Sequence, residues 1–205
     1  AVLDGRLYAI GGVGLSSVEV FDPTLNTWDA GTALPSVLRL GTALTVNGKI
    51  YLFGGQSSNQ NSNQVLCFDP STSQWTSKAN MPTARHGMKL VWFENRIWAI
   101  GGIDVSQTNK VESYDPTTDS WQTEASLNSS RHWPVAWVSN GRIYAGGGKV
   151  DSSRLNSVEV YDPMIKQWTS AGYLPENKYA ADSIVINNTA FVISGQTSEG
   201  SWSNK

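Results

Sequence analysis

The 205-residue sequence predicts an all-β fold of repeated four-stranded antiparallel sheets, on three observations. An aromatic-Asp-Pro triplet followed five residues later by Trp occurs four times. Turn-forming Asn-Gly or Asp-Gly pairs precede short apolar runs that close on paired glycines, and both elements share one period. The copies of the first are Phe21-Asp22-Pro23 with Trp28, Phe68-Asp69-Pro70 with Trp75, Tyr114-Asp115-Pro116 with Trp121, and Tyr161-Asp162-Pro163 with Trp168. Successive Trp residues lie 47, 46 and 47 apart. A feature that recurs once per period is architectural before it is functional.

The first two strands of each unit, A and B, flank the turn pair. Strand B follows Asp4-Gly5 as Leu7 to Ile10 before Gly11-Gly12, and follows Asn47-Gly48 as Ile50 to Phe53 before Gly54-Gly55. It follows Glu94-Asn95 as Ile97 to Ile100 before Gly101-Gly102, and Asn140-Gly141 as Ile143 to Gly146 before Gly147-Gly148. A degraded fifth copy follows Asn187-Asn188 and ends Ser194-Gly195. Asn-Gly and Asp-Gly between apolar runs favour hairpins because both central residues of the turn take positive φ.

Strands C and D form a second hairpin. Val18-Glu19-Val20-Phe21, Val65-Leu66-Cys67-Phe68, Val111-Glu112-Ser113-Tyr114 and Val158-Glu159-Val160-Tyr161 alternate as strands do, and each stops at Asp-Pro, which presets a turn and removes a ladder donor. The aromatic before the turn and the Trp after it are seven apart, so they are expected to face each other across C and D. Four strands per 40 to 50 residues, with no helical periodicity, are the signature of a propeller blade. Stacked blades bury faces that one sheet cannot, with Trp28, Trp75, Trp121 and Trp168 as wedges and the glycine pairs allowing close backbone approach.

The linked motifs, extended by Met81-Pro82-Thr83-Ala84-Arg85-His86-Gly87, resemble the kelch repeat, and the resemblance covers essentially the whole chain. Leu66 in place of Glu, Asn128 in place of Pro and Ser194 in place of Gly are local departures. The resemblance implies a kelch-type β-propeller of about six blades, and the units run approximately 1–34, 35–81, 82–127, 128–174 and 175–205. About four and a half repeats are present. The sequence begins within a strand A and stops at Asn204-Lys205, where strand C would start, so it is expected to be a fragment of a longer chain with open blade edges capable of self-association.

A net charge of −2 and a pI near 5.7 give no global basic footprint for nucleic acid, and no apolar run approaches the ~20 residues of a membrane helix. Cys67 takes the position of Val20, Ser113 and Val160, which reads as a small core residue. Asn128-Ser129-Ser130 and Asn187-Asn188-Thr189 match the glycosylation pattern, which has meaning only in a secretory compartment.

Positions shared by every unit are scaffold, and positions that diverge are candidates for recognition. Strand polarity puts the uniform A–B and C–D turns on one face and the B–C and D–A connections on the other. The B–C loops at 56–64, 103–110 and 149–157 are long and rich in Ser, Asn and Gln. Arg39, Arg85, Arg131 and Lys178 occur once per unit before strand A, and are expected to cluster on the B–C/D–A face. There they would bind acidic groups of a protein or peptide, or alternatively pair with Glu19, Glu112 or Glu159. His86, His132 and Tyr179 follow three of these cations, and no third metal ligand accompanies the histidines. Trp133, with Gly87 and Ala180 as siblings, reads as an anchor or as packing against the neighbouring loop.

The favoured function is therefore a protein-interaction module without catalytic residues, cofactor or metal. The resemblance adds that some kelch domains are substrate-recognition domains of ubiquitin-ligase adaptors, with arginines at this motif position on acidic peptide side chains. It also supplies an enzymatic alternative, a carbohydrate-active propeller like the sialic-acid mutarotases. The copper radical oxidases of the same fold need a Tyr-Cys-His-His set, which a single core Cys67 does not suit.

Overall fold

A computed structural model of the protein describes residues 1–197; residues 198–205, on which the expected stop at Asn204-Lys205 falls, lie outside the described residues. The chain forms two compact units, Ala1–His86 and Gly87–Lys205.

In the first unit, β1 (Val2–Leu3), β2 (Arg6–Gly12), β3 (Leu15–Asp22) and β4 (Thr27–Ala30) make sheet I in that spatial order. Sheet II contains β5 (Thr42–Val46) and β6 (Lys49–Phe53). A two-stranded ribbon, β7 (Gln56–Ser57) with β8 (Gln60–Asn61), interrupts the sequence before β9 (Val65–Asp69) and β10 (Gln74–Lys78) complete that sheet.

The second unit opens with sheet III, formed by β11 (Lys89–Phe93), β12 (Arg96–Ile100), β13 (Val111–Asp115) and β14 (Ser120–Thr123). Sheet IV follows, with β15 (Val135–Ser139) and β16 (Arg142–Gly146), then the ribbon β17 (Lys149–Val150) with β18 (Ser153–Arg154), then β19 (Ser157–Asp162) and β20 (Gln167–Tyr173). A hairpin of β21 (Asp182–Ile186) and β22 (Thr189–Ile193) ends the described chain. Each four-stranded sheet is the predicted A-B-C-D meander.

The turns show why. Asn47 and Gly48 take φ of 50° and 72°, and Glu94-Asn95, a pair without glycine, takes 47° and 59°, with Asn, which tolerates the left-handed region, at the second position. At the C–D turns the Asp carboxylate accepts backbone N–H bonds two or three residues on: Asp22 from Thr24 and Leu25, Asp115 from Thr117 and Thr118, and Asp162 from Met164. The same carboxylates pair with a cation at the start of strand B in every sheet. The pairs are Arg6–Asp22 at 3.0 Å, Lys49–Asp69 at 2.7 Å, Arg96–Asp115 at 3.6 Å and Arg142–Asp162 at 2.8 Å. This once-per-blade ion pair ties strand B to the C–D turn, and the sequence pattern alone did not single it out.

All four aromatic pairs fall in register, Phe21 with Trp28, Phe68 with Trp75, Tyr114 with Trp121 and Tyr161 with Trp168. Ring centroids are 5.2 Å apart in the first three and 5.4 Å in the last. Two Trp residues also wedge between sheets of their own unit. Trp75 packs with Tyr8 and Ile10 of sheet I and donates its indole N–H to Thr32 O at 2.9 Å. Trp168 packs in the core that holds Trp98, Ile100 and Val111 of sheet III and donates to Ala125 O at 2.9 Å. Trp28 is 52% exposed.

The glycine pair of sheet III lies close to the backbone of the next connection. Gly101 has φ +65° and its missing Cβ would sit 2.4 Å from Arg131 O, while Gly102 N donates to that same oxygen at 2.9 Å. Only glycine admits such an approach in that conformation.

Candidate functional site

Backbone bonds fix the register of the D–A connections. The second glycine of each pair donates to a carbonyl in the connection ahead: Gly12 to Leu38, Gly55 to Arg85, Gly102 to Arg131 and Gly148 to Lys178. One residue on, Arg39, His132 and Tyr179 bridge to Gln56, Lys149 and Gln196, and the residues after them, Leu40, Trp133 and Ala180, share a φ near +50°. The sequence expectation that Arg39 is the sibling of Arg85, Arg131 and Lys178 is thus off by one. Leu38 is that sibling, and Arg39 occupies the position of His86, His132 and Tyr179.

The corrected register separates a buried row from an exposed one. Leu38, Arg85, Arg131 and Lys178 are all buried, the two arginines completely. Arg131 is the clearest case. Its Nη1 donates to Gly147 O at 2.8 Å and Ser157 O at 3.0 Å, and its Nη2 donates to Ser157 Oγ at 3.2 Å and Glu159 Oε1 at 2.8 Å. Glu159 also accepts from Asn128 N at 2.6 Å, Asn128 Nδ2 at 3.0 Å and Ser129 N at 3.1 Å. Arg131 therefore takes the structural alternative weighed from sequence, pairing with a strand-C carboxylate and fixing the connection that carries His132 and Trp133.

The second row meets the B–C loops. In the first unit Arg39 is part-exposed, and its Nη2 donates to Gln56 Oε1 at 3.1 Å and Asn59 Oδ1 at 2.7 Å on the β7–β8 ribbon. His86 is buried beside the same ribbon, with Nδ1 2.8 Å from Asn61 Oδ1. Burial, with a smaller contribution from the Arg39 charge, holds the His86 pKa below the usual imidazole value.

In the second unit the corresponding residues form an aromatic platform ringed by cations. Trp133 lies against Gly87, whose Cβ would meet the indole at 3.0 Å, and stacks on Tyr179 at 5.8 Å and 29°. His132 meets Trp133 edge-on at 5.0 Å. Lys149 Nζ and Arg154 Cζ, from the β17–β18 ribbon, lie 5.6 Å and 5.2 Å from the Tyr179 ring centroid, within cation–π range. Gln196 receives the Tyr179 hydroxyl and an Arg154 Nη2 bond at 3.3 Å. Chemically, this surface can offer guanidinium and ammonium donors to carboxylates beside a flat apolar wall.

Trp133 is half-buried and packed against Gly87 and Tyr179. Lys149 and Arg154 escaped the reading of the sequence because they lie in a variable loop whose ribbon pairing depends on the D–A backbone. Cys67 is buried in β9, and burial pushes its thiol pKa upward, as suits a core residue rather than a nucleophile.

Comparisons with known proteins agree with this architecture. A family model described as the KLHDC2/KLHL20/DRC7 Kelch-repeats domain matches residues 1–196. Kelch-like protein 35 of Mus musculus is 34% identical over 49% of this chain and 18% of its own length. Beta-scruin of Limulus polyphemus is 30% identical over 52% and 13%. Kelch-like ECH-associated protein 1A of Danio rerio is 36% identical over 49% and 18%. The matches span less than a fifth of each of these relatives. The solved structure of YjhT superposes with a TM-score of 0.89 over 100% of this chain and 78% of that one, at 21% identity, which shows a common fold.

Proposed function

Because the chain belongs to the kelch-repeat family of β-propellers, we propose that it is a protein-interaction module holding an acidic peptide or protein segment where its B–C ribbons meet the D–A connections. It would do so as the recognition part of a larger protein, without catalysing a reaction. The observation that carries the reading is the second-unit platform, in which Trp133 and Tyr179 stack while Lys149 and Arg154 flank the Tyr179 ring. Cations held over an aromatic face are positioned before a ligand arrives, so an incoming carboxylate would meet preorganised partners and a wall against which an apolar neighbour can rest.

Arg39 plays the matching part in the first unit, held by Gln56 and Asn59. His86, His132, Trp133 and Tyr179 complete the proposed contact rows. Arg85, Arg131 and Lys178 act as positioning residues, since burial keeps them from a ligand. Among the relatives, the name Kelch-like ECH-associated protein 1A records an association with ECH and supports a binding function.

The test is a synthetic peptide array of acidic segments and their amide counterparts, probed with the wild-type chain and with a Lys149→Glu, Arg154→Glu double variant. Capture of acidic segments by the wild type and its loss in the variant is expected. Equal capture of amide counterparts, or an unaffected variant, would overturn the reading. A thermal shift with N-acetylneuraminic acid, in the absence of any acidic-peptide capture, would replace it with the carbohydrate-active alternative.

A further inference from the structure

Sheets I and II leave between them a cavity of about 230 Å³ whose lining combines rings, aliphatic side chains and a carboxylate. Tyr8, Phe68 and Trp75 contribute the rings, Val18 and Val20 the aliphatic surface, and Asp29 the carboxylate. All of them belong to the first unit, and strand β1 supplies none of the lining. The rings are contiguous, with the Phe68 centroid 5.9 Å from Tyr8 and 5.2 Å from Trp75. Thr32 ties the two sheets together beside them. Its Oγ1 donates to Ser73 O at 3.0 Å, and its carbonyl accepts the Trp75 indole N–H at 2.9 Å.

The space exists because sheet I departs from the repeat. Strand register makes Tyr8, Val20, Asp29 and Gly31 the counterparts of Trp98, Ser113, Gln122 and Glu124 in sheet III. There the chain engages these positions itself. The Trp98 ring lies 4.9 Å from Tyr161 of sheet IV, Ser113 Oγ donates to Glu124 Oε1 at 2.6 Å, and Arg96 Nε donates to Ser113 Oγ at 2.7 Å. In sheet I, valine and glycine remove both the hydroxyl and the carboxylate of that network. A Cβ on Gly31 would meet Val18 Cγ1 and Val20 Cγ2, each at 3.0 Å, so a side chain at this position would be directed over the valines that line the cavity.

Charge selects the ligand. Arg6 and Asp22, which also line the cavity, offset each other at 3.0 Å. Asp29 is exposed and, among the described residues, its carboxylate has no hydrogen-bond or ion-pair partner, so it sets the net charge of the lining. A carboxylate beside aromatic rings favours a cation that carries an apolar body, since the carboxylate and the ring faces both attract positive charge and the body leaves water on entry. We propose that this cavity binds a small organic ammonium ion, with the cation at Asp29 and its apolar body against Tyr8, Phe68 and Trp75. The site shares no residue with the proposed acidic-segment site and takes the opposite charge.

The test is a ligand-observed saturation-transfer NMR titration of the full chain with 2-phenylethylamine, beside its neutral and anionic analogues 2-phenylethanol and phenylacetate. Saturable binding of the amine is expected, at least about tenfold tighter than that of either analogue. Asp29→Asn should remove that preference with the melting point unchanged, because the residue is exposed. Gly31→Gln, which puts a side chain where sheet III carries Glu124, should abolish binding by filling the space, and Asp29→Asn decides the matter if this second variant perturbs folding. Absence of saturable amine binding overturns the proposal. So does a preference for phenylacetate, which would make Arg6 the anchor, or amine binding that Asp29→Asn leaves intact.

Discussion

Arg131 Nη2 lies 2.8 Å from Glu159 Oε1, and in sheet II the positions of these two residues are held by Leu38 and Leu66, which pack in one apolar cluster. One repeat thus fills with a pair of leucines the place that another fills with a buried ion pair. Pro35 accompanies the leucines, at the position where Asn128 donates its N–H to Glu159. The apolar version therefore removes the donor as well as the acceptor, which avoids a buried unsatisfied N–H.

Breaking the ionic version on one side should be costly. Arg131→Leu leaves Glu159 without its buried cation and is expected to cost about 3 to 5 kcal/mol, whereas Arg131→Leu with Glu159→Leu should cost less than the sum of the two single changes by at least about 1 kcal/mol. Adding Asn128→Pro should recover more. Denaturant unfolding of the series measures the coupling, and strict additivity would show that the pair is not a unit.

The Trp positions should divide by burial. Trp168→Ala empties the wedge between sheets III and IV and is expected to cost about 3 to 5 kcal/mol. Trp28→Ala, at a residue 52% exposed, should cost less than half as much. Thermal melts of the two variants check the order, and equal losses would contradict the wedge assignment.

Gly101→Ala combines a left-handed backbone with a Cβ placed 2.4 Å from Arg131 O. The expected loss is at least about 2 kcal/mol, since the obstacle is backbone and the conformation itself is unfavourable for alanine. A chemical-denaturation midpoint near that of the wild type would show that the glycine pair is dispensable.

The ion pair at the C–D turn predicts an acid response. The Lys49 ammonium, together with hydrogen bonds from Ser71, lowers the Asp69 pKa to about 2. A carboxyl depressed in the folded state stabilises the fold above its unfolded value of about 3.9, and the contribution is lost as pH falls towards the folded value. The stability difference between wild type and Asp69→Asn, followed by urea midpoints, should accordingly shrink between about pH 4 and pH 2. A difference that stays constant over that window would remove Asp69 from the account.

The strands were legible because their determinants are local. Asn47-Gly48 and Asp22-Pro23 set their turns through backbone preferences that hold in isolation, and the seven-residue spacing of Tyr161 and Trp168 sets their pairing across one hairpin. The D–A connections were less legible. Val37-Leu38-Arg39 offers a cation one residue after the sibling position, and charge matching aligned Arg39 with Arg85 by a one-residue slip. A better signal was present four residues earlier, where Leu34, Met81, Leu127 and Leu174 mark the start of each connection. Lys149 and Arg154 carried no repeat signal, because a variable loop is positioned by its pairing with His132 rather than by its own sequence.

Amide hydrogen–deuterium exchange with an array-selected acidic peptide tests the central claim most directly. Protection is predicted at 149–154 and 178–180, around the Lys149, Arg154 and Tyr179 contacts, with no change at the C–D turns around Asp115 and Asp162. Protection confined to those turns, or spread evenly over the chain, would contradict a recognition site built where the B–C ribbon meets the D–A connection.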